Sequence, residues 1–164
     1  SGEIRFGAAP DTDPAVVADI ADLYSRVGIA HVVEPDIKRR MWTKLMMNVG
    51  VNQTCMVYGG TYGSVTERGS EQRRSLVAAM REARVVANAE GVAIAEADLS
   101  QMVELLETLD PAGMPSMAQD RIARRKTEVE EFSGTICRLA AEHGIEVPQN
   151  EWLYQRIREI EASW

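Results

Sequence analysis

The sequence predicts a mainly α-helical domain preceded by a strand–helix–strand segment, and three observations carry that reading. From Asp36 to the end, apolar residues recur at helical spacing in one segment after another. Residues 1–35 instead show a short alternating run, a capped amphipathic stretch and a second apolar run stopped by Pro35. The chain has 164 residues, 45% hydrophobic and 26% charged, which is enough to build one ordinary core. Two parts are therefore expected, residues 1–35 as the closing piece of an α/β unit and residues 36–164 as a helical domain.

The elements follow in order. Ile4–Gly7 alternates and ends in glycine, as a strand does. Asp13 is placed to cap a helix whose first residue is Pro14, with Val16, Val17, Ile20, Leu23 and Tyr24 on its apolar face and Gly28 closing it. His31–Pro35 reads as a second strand, and two strands with one helix cannot cover both faces of a parallel sheet. The next helix, Asp36 to about Tyr58, carries apolar residues on almost every side and is expected to be buried all round. Gly59–Ser64 reads as a break. Helices are expected over Glu71–Glu90, Asp98–Leu109, Ser116–Ala123, Thr127–His143 and Gln149–Ile160.

Composition excludes several classes. Lys+Arg 18 against Asp+Glu 25 gives a net charge of −7, the wrong sign for a nucleic-acid binder. No run of about 18 apolar residues is present to span a membrane. Cys55 and Cys137 read as reduced thiols, and His31 and His143 without a Cys/His cluster give no metal site. Ser-His-Asp or Cys-His catalysis has no support. The chain reads as soluble and cytoplasmic. It opens Ser-Gly-Glu with no initiator Met and no signal-peptide pattern, so its first residues read as the middle of something longer.

Three constellations could carry chemistry. Lys44, Asn48 and Asn52 recur at i, i+4 and i+8 and form one polar stripe on the apolar helix. That stripe is either a solvated strip or a cleft wall of one cation and two amides, suited to a small anionic ligand. Ser116 stands where a helix N-cap belongs, serving as a plain cap or as a carboxylate-binding helix start. In Arg125–Glu131, Thr127 and Glu130 fit a capping box. Glu128 either decorates that first turn or orients a cleft lysine. His143, before Gly144, favours a helix C-terminus. No G-x-G-x-x-G follows a strand, so no dinucleotide site lies within these residues.

Taken together, Trp42-x-Lys44-x3-Asn48-x3-Asn52, Pro115-Ser116-Met117-x2-Asp120, Thr127-Glu128-Val129-Glu130, Gly134 and the tail from His143 to Tyr154 resemble the ketopantoate reductase (2-dehydropantoate 2-reductase) family. The resemblance covers about Ile4 to Ile157 and departs mildly at Glu130, where many relatives carry Asp. It implies the all-helical C-terminal domain of a 6-phosphogluconate-dehydrogenase-like two-domain reductase. Residues 1–35 are then the last strand–helix–strand of the Rossmann domain. In that family NADPH reduces the C2 ketone of ketopantoate to pantoate, on the route to pantothenate and coenzyme A. The resemblance implies Lys44 as general acid, Glu128 as its acidic partner, Asn48 and Asn52 on the substrate's polar groups, and Ser116 on its carboxylate end.

The resemblance further implies NADPH as cofactor in the complete enzyme, a small-molecule keto acid as partner and a homodimer formed through the helical domain, while charge and hydropathy argue for no nucleic acid and no membrane. The isolated chain is expected to be inactive, since hydride donor and acceptor would not be held together. Two rival readings stay open, a helical dimerisation module without its own catalysis and a domain of a related 2-keto or 2-hydroxy acid dehydrogenase.

Overall fold

The computed structural model of the chain describes residues 2–164. By contacts it divides into a small unit ending at Trp42 and a larger one, Thr43–Trp164.

In the small unit, β1 (Ile4–Phe6) and β2 (His31–Val33) pair in parallel, Ile4 opposite His31 and Phe6 opposite Val33. The crossover is α1 (Pro14–Arg26), whose start is fixed by the Asp13 carboxylate accepting the Ala15 N–H at 2.9 Å. Phe6, Tyr24 and His31 form one ring cluster with centroids 5.5–6.1 Å apart. His31 is thereby a packing residue, and its Nδ1 donates to the Ile29 carbonyl at 2.9 Å. No residue of α1 is buried, and Val16 and Leu23 stay about half exposed at 49% and 48%. A two-stranded sheet is too narrow to cover that helix.

The larger unit is helical throughout. Its elements are α2 (Ile37–Tyr58, whose first residues belong to the small unit), α3 (Tyr62–Thr66), α4 (Glu71–Ala89), α5 (Glu96–Glu107) and α6 (Ser116–Ala123). A π-helical turn (Glu130–Gly134) then leads into α7 (Thr135–His143), and α8 is Pro148–Ala162. The core is built from Met46, Met56, Leu76, Met80, Leu106, Met117, Ile136, Leu153 and Ile157, all under 2% exposed. Four methionines in that set fill irregular space between helices rather than ligating anything.

Burial of α2 differs from the expectation. Residues Val49–Met56 are buried on every side, but Met41 is 64% exposed and Lys44 is exposed. The helix threads the core from Met46 onward. Gly50 explains how closely it does so: a Cβ there would lie 2.5 Å from Met80 Cγ and 3.1 Å from the Leu76 carbonyl, so α2 and α4 pack backbone to side chain.

The stretch read as a break is half helical. Thr61 and Ser64 form a reciprocal capping box that starts α3. The Tyr62 and Gly63 N–H groups at its start donate to the Gly113 and Pro111 carbonyls at 3.0 Å each. A Cβ on Gly63 would sit 2.9 Å from that Pro111 oxygen, so glycine is what lets the loop before α6 dock here.

The expected Thr127–His143 helix is also corrected. Ordered helix begins only at Glu130, and it begins as a π turn, with the Gly134 N–H reaching back to the Val129 carbonyl at 3.0 Å. The cause is a side chain inserted into the ladder. Gln53, fully buried on α2, accepts the Ser133 N–H on Oε1 at 3.2 Å and donates from Nε2 to the Val49 carbonyl at 2.7 Å. Ser133 in turn donates its hydroxyl to Asn150 Oδ1 at 3.0 Å. Asn150 donates to the Ala79 carbonyl at 3.2 Å and to Glu82 at 2.7 Å. One buried polar chain thus links α2, the π turn, α8 and α4.

Cys55 is buried as the sequence predicts, and Cys137 is only part-buried. Burial pushes Cys55 up to about 12 and Cys137 to about 11, the latter helped by the nearby carboxylates of Glu151 and Glu82. Titration of the native protein with a thiol reagent at pH 8 is therefore expected to leave Cys55 unmodified until denaturant is added. Rapid labelling of Cys55 under native conditions would contradict its burial.

Candidate functional site

The polar stripe on α2 forms as its spacing requires. Lys44 is exposed, Asn48 is half-buried one turn on, and Asn52 is 7% exposed one turn further. The stripe therefore runs about 12 Å from solvent to core at a rise of 1.5 Å per residue. At its inner end the Asn52 amide donates from Nδ2 to Ser116 Oγ at 3.4 Å, joining residues 64 apart in sequence.

Ser116 is not the N-cap. Pro115 occupies that position, and Ser116 is the first residue of α6 with no side-chain bond to its own helix start. Proline at the cap leaves the serine hydroxyl free for Asn52. The N–H groups of Ser116 and Met117 stand at the helix start, ahead of the first intrahelical donors, Ala118 and Gln119, which both bond to the Pro115 carbonyl.

Thr127 does not form the expected capping box with Glu130. Its N–H and its hydroxyl both donate to Glu161 Oε1, at 2.8 Å each. Glu130 instead accepts from the Tyr154 hydroxyl at 2.9 and 3.1 Å, which raises the Tyr154 phenol above its ordinary range. Glu128 lies in the bend between these tethered neighbours and is exposed. Among the described residues no ion pair joins it to Lys44. The structure thus brings Asn52 to Ser116 and leaves Lys44 and Glu128 as exposed, oppositely charged groups.

Sequence reasoning missed two residues that support this arrangement. Arg121 on α6 donates from Nη1 to the Met56 and Val57 carbonyls at 2.6 and 2.7 Å, capping the end of α2 and fixing α6 against it. Glu161 has no local motif, because its partner lies 34 residues earlier. His143, read as a helix-end charge, also bonds Glu90 across 2.6 Å. A cavity of about 380 Å³ between Tyr58, Glu71, Arg74, Ser75 and Trp152 contains none of the stripe residues.

Residues 36–161 match the family described as "Ketopantoate reductase PanE/ApbA C terminal". The chain belongs to the ketopantoate reductase family. The 2-dehydropantoate 2-reductase of Vibrio cholerae is 29% identical over 145 residues, covering 88% of this chain and 48% of that protein. The chain spans about half the length of the curated relatives it matches. A dimeric ketopantoate reductase from Staphylococcus aureus superposes with a TM-score of 0.85 at 24% identity, over 98% of this chain and 54% of that one. A D-mandelate dehydrogenase solved with NADH and anilino(oxo)acetate gives the same TM-score at 22% identity, over 99% and 68%. These superpositions establish the ketopantoate reductase C-terminal fold, with a helical unit that follows the two-stranded sheet in sequence. Lys44, Asn48, Asn52, Ser116 and Glu128 all fall within the matched residues.

Proposed function

We propose that this chain is the substrate-side domain of an NADPH-dependent reductase that converts ketopantoate to pantoate in pantothenate and coenzyme A synthesis. One observation carries the reading. The family-matched residues place Lys44, Asn48 and Asn52 along one helix, and Asn52 reaches Ser116 at the start of another.

No glycine-rich phosphate loop follows either strand, so the nucleotide is held by parts of the protein outside these residues. NADPH supplies the hydride to C2 when bound there. The exposed Lys44 ammonium gives its proton to the C2 oxygen and is recharged from solvent. Its charge also favours the oxyanion as it develops. Glu128 completes the site as acceptor for that ammonium and for the reacting-oxygen region. Asn48 and Asn52 donate to the substrate's polar groups, and Ser116, with the free N–H groups of its helix start, receives the carboxylate.

The test is keto-acid-dependent NADPH oxidation by the complete protein and by this chain alone. Turnover by the complete protein and none by these 164 residues is expected. Robust turnover by the chain alone would overturn the division of labour. Asn52→Ala is expected to raise KM for the keto acid about 10-fold, equivalent to losing one good hydrogen bond, with a smaller change in kcat. Reduction of a different 2-keto acid is the second reading, favoured by the equally good superposition on D-mandelate dehydrogenase. A substrate profile of the complete protein separates the two. The same proposal includes a homodimer through the helical domain; light scattering of the complete protein giving a monomer mass would remove it.

A further inference from the structure

Among the described residues the Glu128 carboxylate has no partner, yet the backbone on both sides of it is held by side chains from other helices. On the far side the π turn is pinned to α2 by the bond from Ser133 N–H to Gln53. On the near side Thr127 is pinned to the last turn of α8, where one oxygen of Glu161 accepts both its N–H and its hydroxyl at 2.8 Å. The Glu161 side chain is only 7% exposed, and its second oxygen lies 3.7 Å from Arg158 Nη1.

A carboxylate so nearly buried is unfavourable unless its lone pairs are used, and here two of the bonds go to the single residue preceding Glu128. Both bonds go to one oxygen, so an amide oxygen in that place could also accept both; the ionised carboxylate holds them more tightly. The result is a short bend with both flanks fixed and the Glu128 carboxylate free at the surface between them.

We propose that Glu161 is a positioning residue that sets the reach of Glu128 by fixing Thr127. This rests on the reading of Glu128 given under the proposed function. Glu161 itself touches no substrate. Its effect is geometric, and a displacement of about 1 Å at an acceptor of this kind lowers turnover by as much as roughly 100-fold.

The experiment measures kcat, KM for the keto acid and the thermal midpoint in the complete protein carrying Glu161→Ala, Glu161→Gln or Thr127→Val, with Glu128→Gln alongside. Glu161→Ala is expected to lower kcat about 10-fold or more while KM stays within about 2-fold. Glu161→Gln keeps an acceptor oxygen and is expected to recover to within about 3-fold of the parent. Thr127→Val, which loses the hydroxyl and keeps the N–H, is expected to fall between them, and it decides the matter if Glu161→Ala does not fold. A Glu161→Ala protein with a lower thermal midpoint but parental kcat would overturn the proposal, as would Glu161→Gln no better than alanine. If Glu128→Gln retains parental kcat, the reading of Glu128 fails and the proposal with it. If Glu128→Gln loses activity and the other three do not, only the role of Glu161 is lost.

Discussion

Lys44→Ala in the complete protein is expected to lower kcat for keto-acid reduction by about 10²–10⁴-fold, the range for losing a positioned proton donor. The expectation follows from where the residue stands. Lys44 is the exposed end of a stripe whose other end is the buried Asn52, bonded to the exposed Ser116, so a substrate lying along it as proposed would meet the ammonium at the solvent side. Lys44→Arg separates the two roles proposed for the ammonium. Arginine keeps the positive charge but does not release a proton near neutral pH, so an arginine protein as slow as the alanine one assigns the loss to proton delivery. Substantial recovery by arginine would assign it to charge alone. Parental activity in both variants would remove Lys44 from the chemistry.

The second large effect concerns stability. Asn150→Ala removes the amide that accepts from Ser133 and donates to Ala79 and Glu82, at a position with no exposed surface. Each buried group left without a partner is worth about 1–3 kcal/mol, so a loss of roughly 3–5 kcal/mol is expected. Urea unfolding should show a lower midpoint at unchanged slope. A loss below about 1 kcal/mol would mean that water or a rearranged neighbour takes over the bonds.

Much of this was legible from the sequence because it is local. Asp13 with Pro14, the long apolar helix around Val49, and the alternation at Ile4 and His31 are set by neighbouring residues, and their elements form within a residue or two of expectation. The stripe from Lys44 to Asn52 was legible for the same reason, since helical spacing alone aligns it. What was not legible depends on partners far apart in the chain. Ser116 reads as a cap until Pro115 takes that position and Asn52 arrives from 64 residues away. Thr127 and Glu130 spell a capping box that does not form, because Glu161 and Tyr154 claim their hydrogen-bonding groups first. The π turn has no sequence signature of its own. It appears where Gln53 draws off the Ser133 N–H, and nothing near Ser133 reports that glutamine.

That turn has a consequence for how this chain can change. A π turn holds one more residue than the α-helical turn it replaces, and around a helix one residue is about 100° of rotation. Losing a single codon between Glu130 and Gly134 would wind the segment into regular helix and swing the bend carrying Glu128 by more than a quarter of a circle, with every remaining side chain unchanged. The spacing from Glu128 to Gly134 is thus a length constraint rather than a composition constraint. In this stretch a deletion is the graver lesion, and most substitutions at its exposed positions are the milder one.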